Sequence, residues 1–173
     1  MPVAGGGPGL IREERPADVD AIRSIHEACF PTGGEARLVD LLRAAGHLTV
    51  SLVGEVDGGV VGHVGFSPVT AASGDVGLGL APVAVLEPYR RRGIGASLIA
   101  AGLAVCRTQG VGWVVVLGAP EYYSRFGFRP AGDAGLVDEY GGGAAFQVME
   151  LTAAAPFGRT GLVRYGPEFA SLG

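Results

Sequence analysis

Three consecutive arginines followed by two spaced glycines, Arg90-Arg91-Arg92-Gly93-Ile94-Gly95, are the run of this 173-residue chain that most clearly implies chemistry. The run follows an apolar, β-like segment, Leu80 to Leu86, and opens a helical stripe, so the guanidinium groups stand at a helix N-terminus. Unpaired backbone N–H groups already make such an end partly positive, and added cations oppose it unless an anion binds there. Glycine removes the Cβ that would hold the backbone away from a phosphate. A phosphate group is therefore the expected ligand. Two familiar phosphate loops are excluded. A P-loop requires Gly-Lys-Ser/Thr, and the chain has no lysine; a dinucleotide fingerprint requires a third glycine where Leu98 stands.

Other reactive side chains are scattered, and each has a plain structural explanation to weigh. Tyr123, in Tyr123-Ser124-Arg125-Phe126-Gly127-Phe128, lies on a short helical segment where packing alone would explain an aromatic ring. Glu35 opens a helix, a place the helix dipole favours for any acid. His63 falls on a strand and reads as a buried, hydrogen-bonded imidazole. Asp138, Glu139 and Tyr140 sit in a late loop, where contact with an acceptor is the functional reading and simple solvation the favoured one. Cys29 and Cys106 fall on apolar helix faces as free thiols without metal-ligand spacing, so no metal site is expected.

The elements that must position these groups follow from periodicity. Leu10 to Arg15 reads as a strand, and Pro16 suits the first turn of a helix carrying Val19, Ile22, Ile25, Cys29 and Phe30. Pro31 to Gly34 breaks it, and Leu38, Leu41, Leu42 and Ala45 mark a second helix ending near Gly46. Leu48 to Val56 and Val60 to Val69 flank Asp57-Gly58-Gly59, a hairpin signal. Asp75 to Leu86 is a further strand. The helix from Gly93 to about Thr108 leads to Val111 to Leu117, a β-branched run typical of a strand buried on both faces with a parallel neighbour. A short helix, Glu121 to Phe126, precedes a strand near Phe128. Ala131 to Gly143 reads as a glycine-rich loop, Ala144 to Leu151 as the last strand, and the tail as an aperiodic extension.

Arg90, Gly93 and Gly95 match the Q/R-x-x-G-x-G/A pattern of the GNAT acetyltransferases, and the chain resembles that superfamily. Ala81-Pro82-Val83-Ala84-Val85 is similar to its fourth strand, and Tyr123 to Phe128 to its Y-x-x-x-G-F signature. Found in this order, the motifs are far more specific than either alone. Over nearly its full length, including Arg164-Tyr165, the chain resembles small bacterial members. The resemblance implies an α/β (α+β) fold: a mixed central sheet of about seven strands, helices on both faces, and a splayed cleft between strands four and five.

It also implies acetyl-CoA as cosubstrate. Backbone N–H groups of Arg91, Arg92, Gly93, Ile94, Gly95, Ala96 and Ser97 would hold the pyrophosphate. A side chain among Arg90, Arg91 and Arg92 would meet the 3′-phosphate. The pantetheine arm would run along Val83, Ala84 and Val85, much as a peptide adds to a strand edge. An N–H near Val83 would stabilise the oxyanion. Tyr123 occupies the place of the general acid for the departing thiolate. Full transfer from a phenol near 10 to a thiolate near 8.5 is uphill by about 2 kcal/mol, so a hydrogen bond suffices. The general base stays open. Many relatives carry a glutamate on the fourth strand, and Val76 to Val85 has no carboxylate. A lysine-like amine is only about 0.04% deprotonated at pH 7. Glu35, in a region that borders the acceptor cleft in relatives, is the leading substitute, ahead of His63.

Composition limits the partners. With 48% hydrophobic and 17% charged residues the chain can bury a core, and no apolar run approaches the roughly 18 residues of a membrane span. A net charge of −4 argues against a nucleic-acid partner. The N-terminus lacks an export signal, so a cytoplasmic location is expected. The domain organisation expected is a flexible 1–9, an acetyltransferase domain over 10–152 and a packed extension over 153–173. The acceptor expected is a small-molecule or protein primary amine, attacking directly in a ternary complex; a homodimer is compatible with such a domain. The competing readings are a non-catalytic acyl-CoA-binding module, or the same fold using a longer acyl donor.

Overall fold

Leu10–Glu13 (β1) is the first regular segment of the computed structural model, which describes residues 9–152 and 161–172. The expected flexible terminus, apart from Gly9, and the start of the expected C-terminal extension lie outside the described residues. Pro16 begins a 3₁₀ turn, Pro16–Asp18, that feeds Val19–Cys29 (α1); Gly34–Ala45 (α2) follows and closes on Gly46 at φ 75°, where glycine accepts the left-handed conformation. Val50–Val56 (β2) and Gly59–Ala71 (β3) make the expected hairpin, tightened to a two-residue turn at Asp57 and Gly58 (φ 52° and 81°). Next come Val76–Val85 (β4), Ile94–Thr108 (α3), Trp113–Leu117 (β5), Pro120–Tyr123 (α4), Arg129–Pro130 (β6), Leu136–Asp138 (β7), Phe146–Glu150 (β8) and Gly161–Tyr165 (β9).

Strand pairing follows the order β1-β2-β3-β4-β5-β8-β6, with β9 paired to β3 and β7. The β4–β5 and β7–β9 ladders are parallel and β1–β2, β2–β3 and β5–β8 antiparallel, so the sheet is mixed, as expected. Nine strands are described where about seven were expected. The additions are β7, inside the expected glycine-rich loop, and β9, inside the aperiodic tail. β7 has three residues, too few for a period-2 signal, and both strands exist through partners far away in sequence.

Contacts group the described residues into two compact units. The first holds the residues up to Phe66, Pro82–Leu103 and those from Glu168. Its helices cover opposite faces of the β2–β3 hairpin, and the register shows why. Gly54 pairs with Gly62 on one face; a Cβ at Gly54 would lie 2.9 Å from Ile94 Cγ2 and one at Gly62 would lie 3.1 Å from Leu98 Cδ1, so bare backbone lets α3 approach. One residue earlier on β2, the pair Val53 and His63 points to the other face, where Val53 packs with Ile22 of α1 and Val39 of α2.

The second unit holds Ser67–Ala81 and the described residues from Ala104 to Pro167. Trp113, Val114, Val115 and Val116 are all buried, as expected of a strand covered on both faces with β4 as its parallel neighbour. Gly77 admits the Trp113 indole, whose Cδ2 would lie 2.5 Å from a Cβ there. Cys106 is a buried free thiol pushed up to about 11 by burial, consistent with an inert core residue. Among the described residues no helix is long and apolar enough to cross a membrane.

Candidate active site

β4 ends at Val85, and Leu86 N–H still donates to Val61 of β3 at 2.8 Å. Strand alternation therefore turns the N–H and C=O groups of Val83 and Val85 away from β3. A 3₁₀ turn, Glu87–Tyr89, then delivers the arginines. Arg91 takes a left-handed φ of 64°, costly for a residue with a Cβ, and Gly93 takes 78°, where glycine is at ease. This alternation curls the backbone before α3. No atom lies within 4 Å of a Cβ built on Gly93, so conformation, and space in front of the turn, account for the glycine.

The three arginines are not equivalent. Arg90 folds back, its Nε donating to the Val85 carbonyl at 2.8 Å, and Arg92 lies 5.3 Å over the Tyr89 ring. Arg91 is exposed and has no side-chain partner among the described residues. Ser97 N–H donates to the Gly93 carbonyl at 2.9 Å, the first intrahelical bond of α3. That corrects one expectation: the Ser97 amide is committed to the helix, and the unpaired first-turn amides are those of Ile94, Gly95 and Ala96. The first turn of α3 has no acidic residue. A helix N-terminus with no acid in its first turn, open space beside Gly93 and guanidinium groups fits an anion of phosphate type.

Val83 and Val85 are half-buried and Ala84 is buried. The Val85 carbonyl also accepts from Cys29 Sγ at 3.4 Å, which ties the end of α1 to the end of β4. Glu35 lies in the first turn of α2, half-buried, with Oε1 buried and without a hydrogen-bond partner among the described residues. Among the described residues this carboxylate takes part in no ion pair, unlike Glu14 or Asp18.

Tyr123 belongs to the second unit and is 9% exposed. Gly118 leaves room for its ring, and Phe128 meets it edge-on, with centroids 5.8 Å apart. Gly127, at φ 106°, makes the reversal that brings Phe128 back under the tyrosine, which gives the spacing of the motif a physical reason. Burial pushes the phenol up to about 12. Its hydroxyl has no hydrogen-bond partner among the described residues.

The late-loop carboxylates are occupied by structure. Asp138 accepts the amides of Tyr140 at 3.1 Å and Gly142 at 2.7 Å, and Glu139 accepts that of Tyr165 at 2.8 Å, so both help build the loop; Glu139 and Tyr140 are exposed as expected, whereas Asp138 is buried. His63 is buried and hydrogen-bonded, in line with its sequence reading. Its partner was missed: His26, on α1, sets Nε2 2.8 Å from His63 Nδ1. Both imidazoles are fully buried, and burial holds His26 down to about 4 and His63 well below the usual range. The available signal was His26 standing one residue from Ile25 on the core stripe of α1. Among the described residues no group of three or more His, Cys, Asp or Glu side chains is arranged to hold a metal ion.

The Acetyltransferase (GNAT) family model matches residues 19–128. The chain is 42% identical over 163 residues to the uncharacterized N-acetyltransferase YhbS of Escherichia coli (strain K12), covering 92% of this chain and 98% of that protein. The solved structure of YhbS from Escherichia coli in complex with CoA matches with a TM-score of 0.91 at 41% identity, over 96% of this chain and 94% of that one. A GNAT family acetyltransferase from Brucella melitensis in complex with acetyl-CoA matches with a TM-score of 0.78 at 40% identity, over 92% and 97%. With a phosphate-type turn on β4 and α3 and a tyrosine held by its glycine-phenylalanine turn, and with these likenesses across nearly its whole length, the chain belongs to the GNAT acetyltransferase family.

Proposed function

We propose that the chain transfers an acetyl group from acetyl-CoA to a primary amine, a small molecule or a protein amine, by direct attack in a ternary complex, with residues 10–152 acting as one acetyltransferase domain. The observation that carries this reading is the turn at Gly93: positive φ, open space, unpaired first-turn amides and no acid to compete with an anion. Relatives about 40% identical bind CoA and acetyl-CoA in their crystals.

Acetyl-CoA, when bound, supplies an activated thioester carbonyl. The amides from Arg91 to Ala96 hold the pyrophosphate, joined by the exposed Ser97 side chain in place of its amide. Arg91, which has no side-chain partner among the described residues, meets the 3′-phosphate, while Arg90 and Arg92 shape the turn. Val83, Ala84 and Val85 line the pantetheine arm. Because the Val85 carbonyl is taken by Arg90 and Cys29, the Val83 N–H and C=O and the Val85 N–H do the pairing, and the Val83 N–H stabilises the oxyanion. Glu35 accepts the proton that an ammonium must lose before attack; its unpartnered Oε1 supports that role.

Tyr123 assists the departing thiolate. With its phenol pushed up to about 12 and a thiol near 8.5, complete proton transfer would be uphill by about 5 kcal/mol. The tyrosine therefore acts by a hydrogen bond that strengthens as charge develops on sulfur. The test is CoA release from acetyl-CoA by the purified chain against a panel of alkylamines, peptides and lysine-containing protein. No release above the rate without amine, across the whole panel, would sink the reading. Native mass spectrometry of the chain purified without added ligand identifies any acyl-CoA it retains, and a long-chain acyl form would reassign the donor.

A further inference from the structure

A chain of hydrogen bonds that the donor chemistry does not use runs through the first unit: His26, His63, Ser51, Glu14. The Glu14 carboxylate accepts Arg43 Nε and Nη2, each at 2.8 Å, and Ser51 Oγ lies 2.7 Å from Glu14 Oε1. Arg43 and Ser51 hold Glu14 below the usual carboxylate range, so at neutral pH it is ionised and Ser51 must be the donor. A hydroxyl has one proton, so Ser51 Oγ accepts from His63 Nε2–H, 2.8 Å away. Neutral His63 then has a bare Nδ1, which accepts His26 Nε2–H. Neutral His26 is left with a bare Nδ1, fully buried and without a partner among the described residues. One proton count thus fixes both tautomers and leaves a single open acceptor at the end of the chain.

The placement of that end is informative. Cys29 is one turn beyond His26 on the same face of α1 and touches the Val85 carbonyl, at the end of the strand to which the donor arm is assigned. The other end, Glu14, reaches the rim of the unit, its side chain 15% exposed. The charges of α2 act on the chain: Arg43 disfavours a cation at both imidazoles and is hydrogen-bonded to Glu14 at the far end, and Asp40 acts on His26 in the opposite sense.

We propose that this chain is a reversible proton relay for the acetyl transfer, with His26 as the group that receives the second proton, the one the nitrogen sheds on attack after Glu35 has taken the first from the ammonium; the proposal rests on the acetyltransferase reading above. As the nitrogen lone pair enters the new C–N bond, an N–H bond breaks and one forms at His26 Nδ1, reached through bridging water because that atom is itself buried. His26 Nε2 passes its proton to His63 Nδ1, His63 Nε2 passes its proton to Ser51 Oγ, and Ser51 passes its hydroxyl proton to Glu14 Oε1. Both imidazoles end neutral in exchanged tautomers, so no buried imidazolium is formed. The reverse hops return one proton to the thiolate sulfur after the C–S bond breaks, giving the thiol and restoring the starting tautomers. His63, Ser51 and Glu14 are positioning residues, acting through His26.

Two measurements on the full chain decide it. In ¹⁵N-labelled protein at pH 7 the side-chain nitrogen spectrum should show both rings as Nε2–H tautomers; an imidazolium, or His26 protonated at Nδ1, overturns the relay whatever the activity. For an amine of the panel that gives CoA release, Ser51→Ala and Glu14→Gln should each lower kcat at least tenfold with KM for acetyl-CoA unchanged, and Ser51→Thr should recover most of it. The wild-type proton inventory in H₂O–D₂O mixtures should be curved, and that of Ser51→Ala linear. Equal kcat and equal inventories in wild type and both variants overturn the relay while leaving the acetyltransferase standing. If the tautomers are as expected but the wild type acetylates no amine, the acetyltransferase reading has failed and the relay falls with it.

Discussion

At the scale of single residues, two side chains carry separable predictions. Tyr123→Phe removes one oxygen from a ring held by Gly118 and Phe128, so packing is kept and only the hydrogen bond is lost. Steady-state kinetics should show kcat lower by about ten- to a hundredfold, at or below the lower end of acid–base effects, because the raised phenol donates a hydrogen bond rather than its proton. Unchanged kcat would remove the role. Gly93→Ala forces a Cβ into a φ of 78° with open space around it. The strain of about 1–2 kcal/mol is conformational, not a clash. Calorimetric titration should show acetyl-CoA binding weakened by tenfold or more, because relief of the strain moves the first-turn amides off their target. Retained affinity would mean that the turn does not hold the donor.

Secondary elements meet through glycines, and there the sign of a mutation depends on two opposed effects. Gly102 lies inside α3, where alanine usually stabilises by about 0.5–1 kcal/mol. A Cβ there would run into Phe66, whose ring is fully buried on β3 and cannot swing away. Overpacking of this kind costs about 1–3 kcal/mol. Gly102→Ala should therefore be destabilising by about 1–2 kcal/mol in urea unfolding, the clash outweighing the propensity; a more stable variant would show that Phe66 yields. At the same scale, the hairpin turn and the α2 stop were readable because glycine signals act within a few residues. β7 and β9 were not, since three- and five-residue strands acquire their state from pairing across long sequence separations.

For the whole molecule, ligand and pH act on the folding equilibrium. A ligand bound only by the native chain stabilises it by about 2.7 kcal/mol at a hundred times its Kd, which for this size raises Tm by about 5–10 °C. Acetyl-CoA should give such a shift in a thermal melt, and no shift at millimolar ligand would contradict the donor assignment. The buried histidines set the acid limb. His26 has a folded pKa of about 4 against an unfolded value near 6.5, so between them the unfolded chain binds more protons, and stability falls as pH drops through that window. His63 acts in the same direction, and each histidine contributes up to about 1.4 kcal/mol per pH unit. Asp18 and Glu14, held below their usual values by arginine partners, extend the loss below the carboxylate range. Denaturation midpoints should drop between pH 7 and pH 4.5; a flat profile would contradict the burial of neutral imidazoles.

The sequence by itself determined what local stereochemistry determines: the turn at Gly93, the glycine that returns Phe128 to Tyr123, the parallel neighbour of an all-apolar β5, and the choice of a phosphate-bearing donor over two rival loops. Each depends on φ, on Cβ or on periodicity within about ten residues. Only the tertiary structure separated the three arginines, because their roles depend on what each guanidinium meets after the chain has turned. It alone committed Asp138 and Glu139 to building their loop, and it alone joined His26 to His63, Ser51 and Glu14. Those four residues lie on separate segments, and the register of β2 against β3, with α1 laid over that face, is what brings them within hydrogen-bond reach. Pairing of that kind has no signature along the chain, since it is decided by which segments share a face once the core has closed.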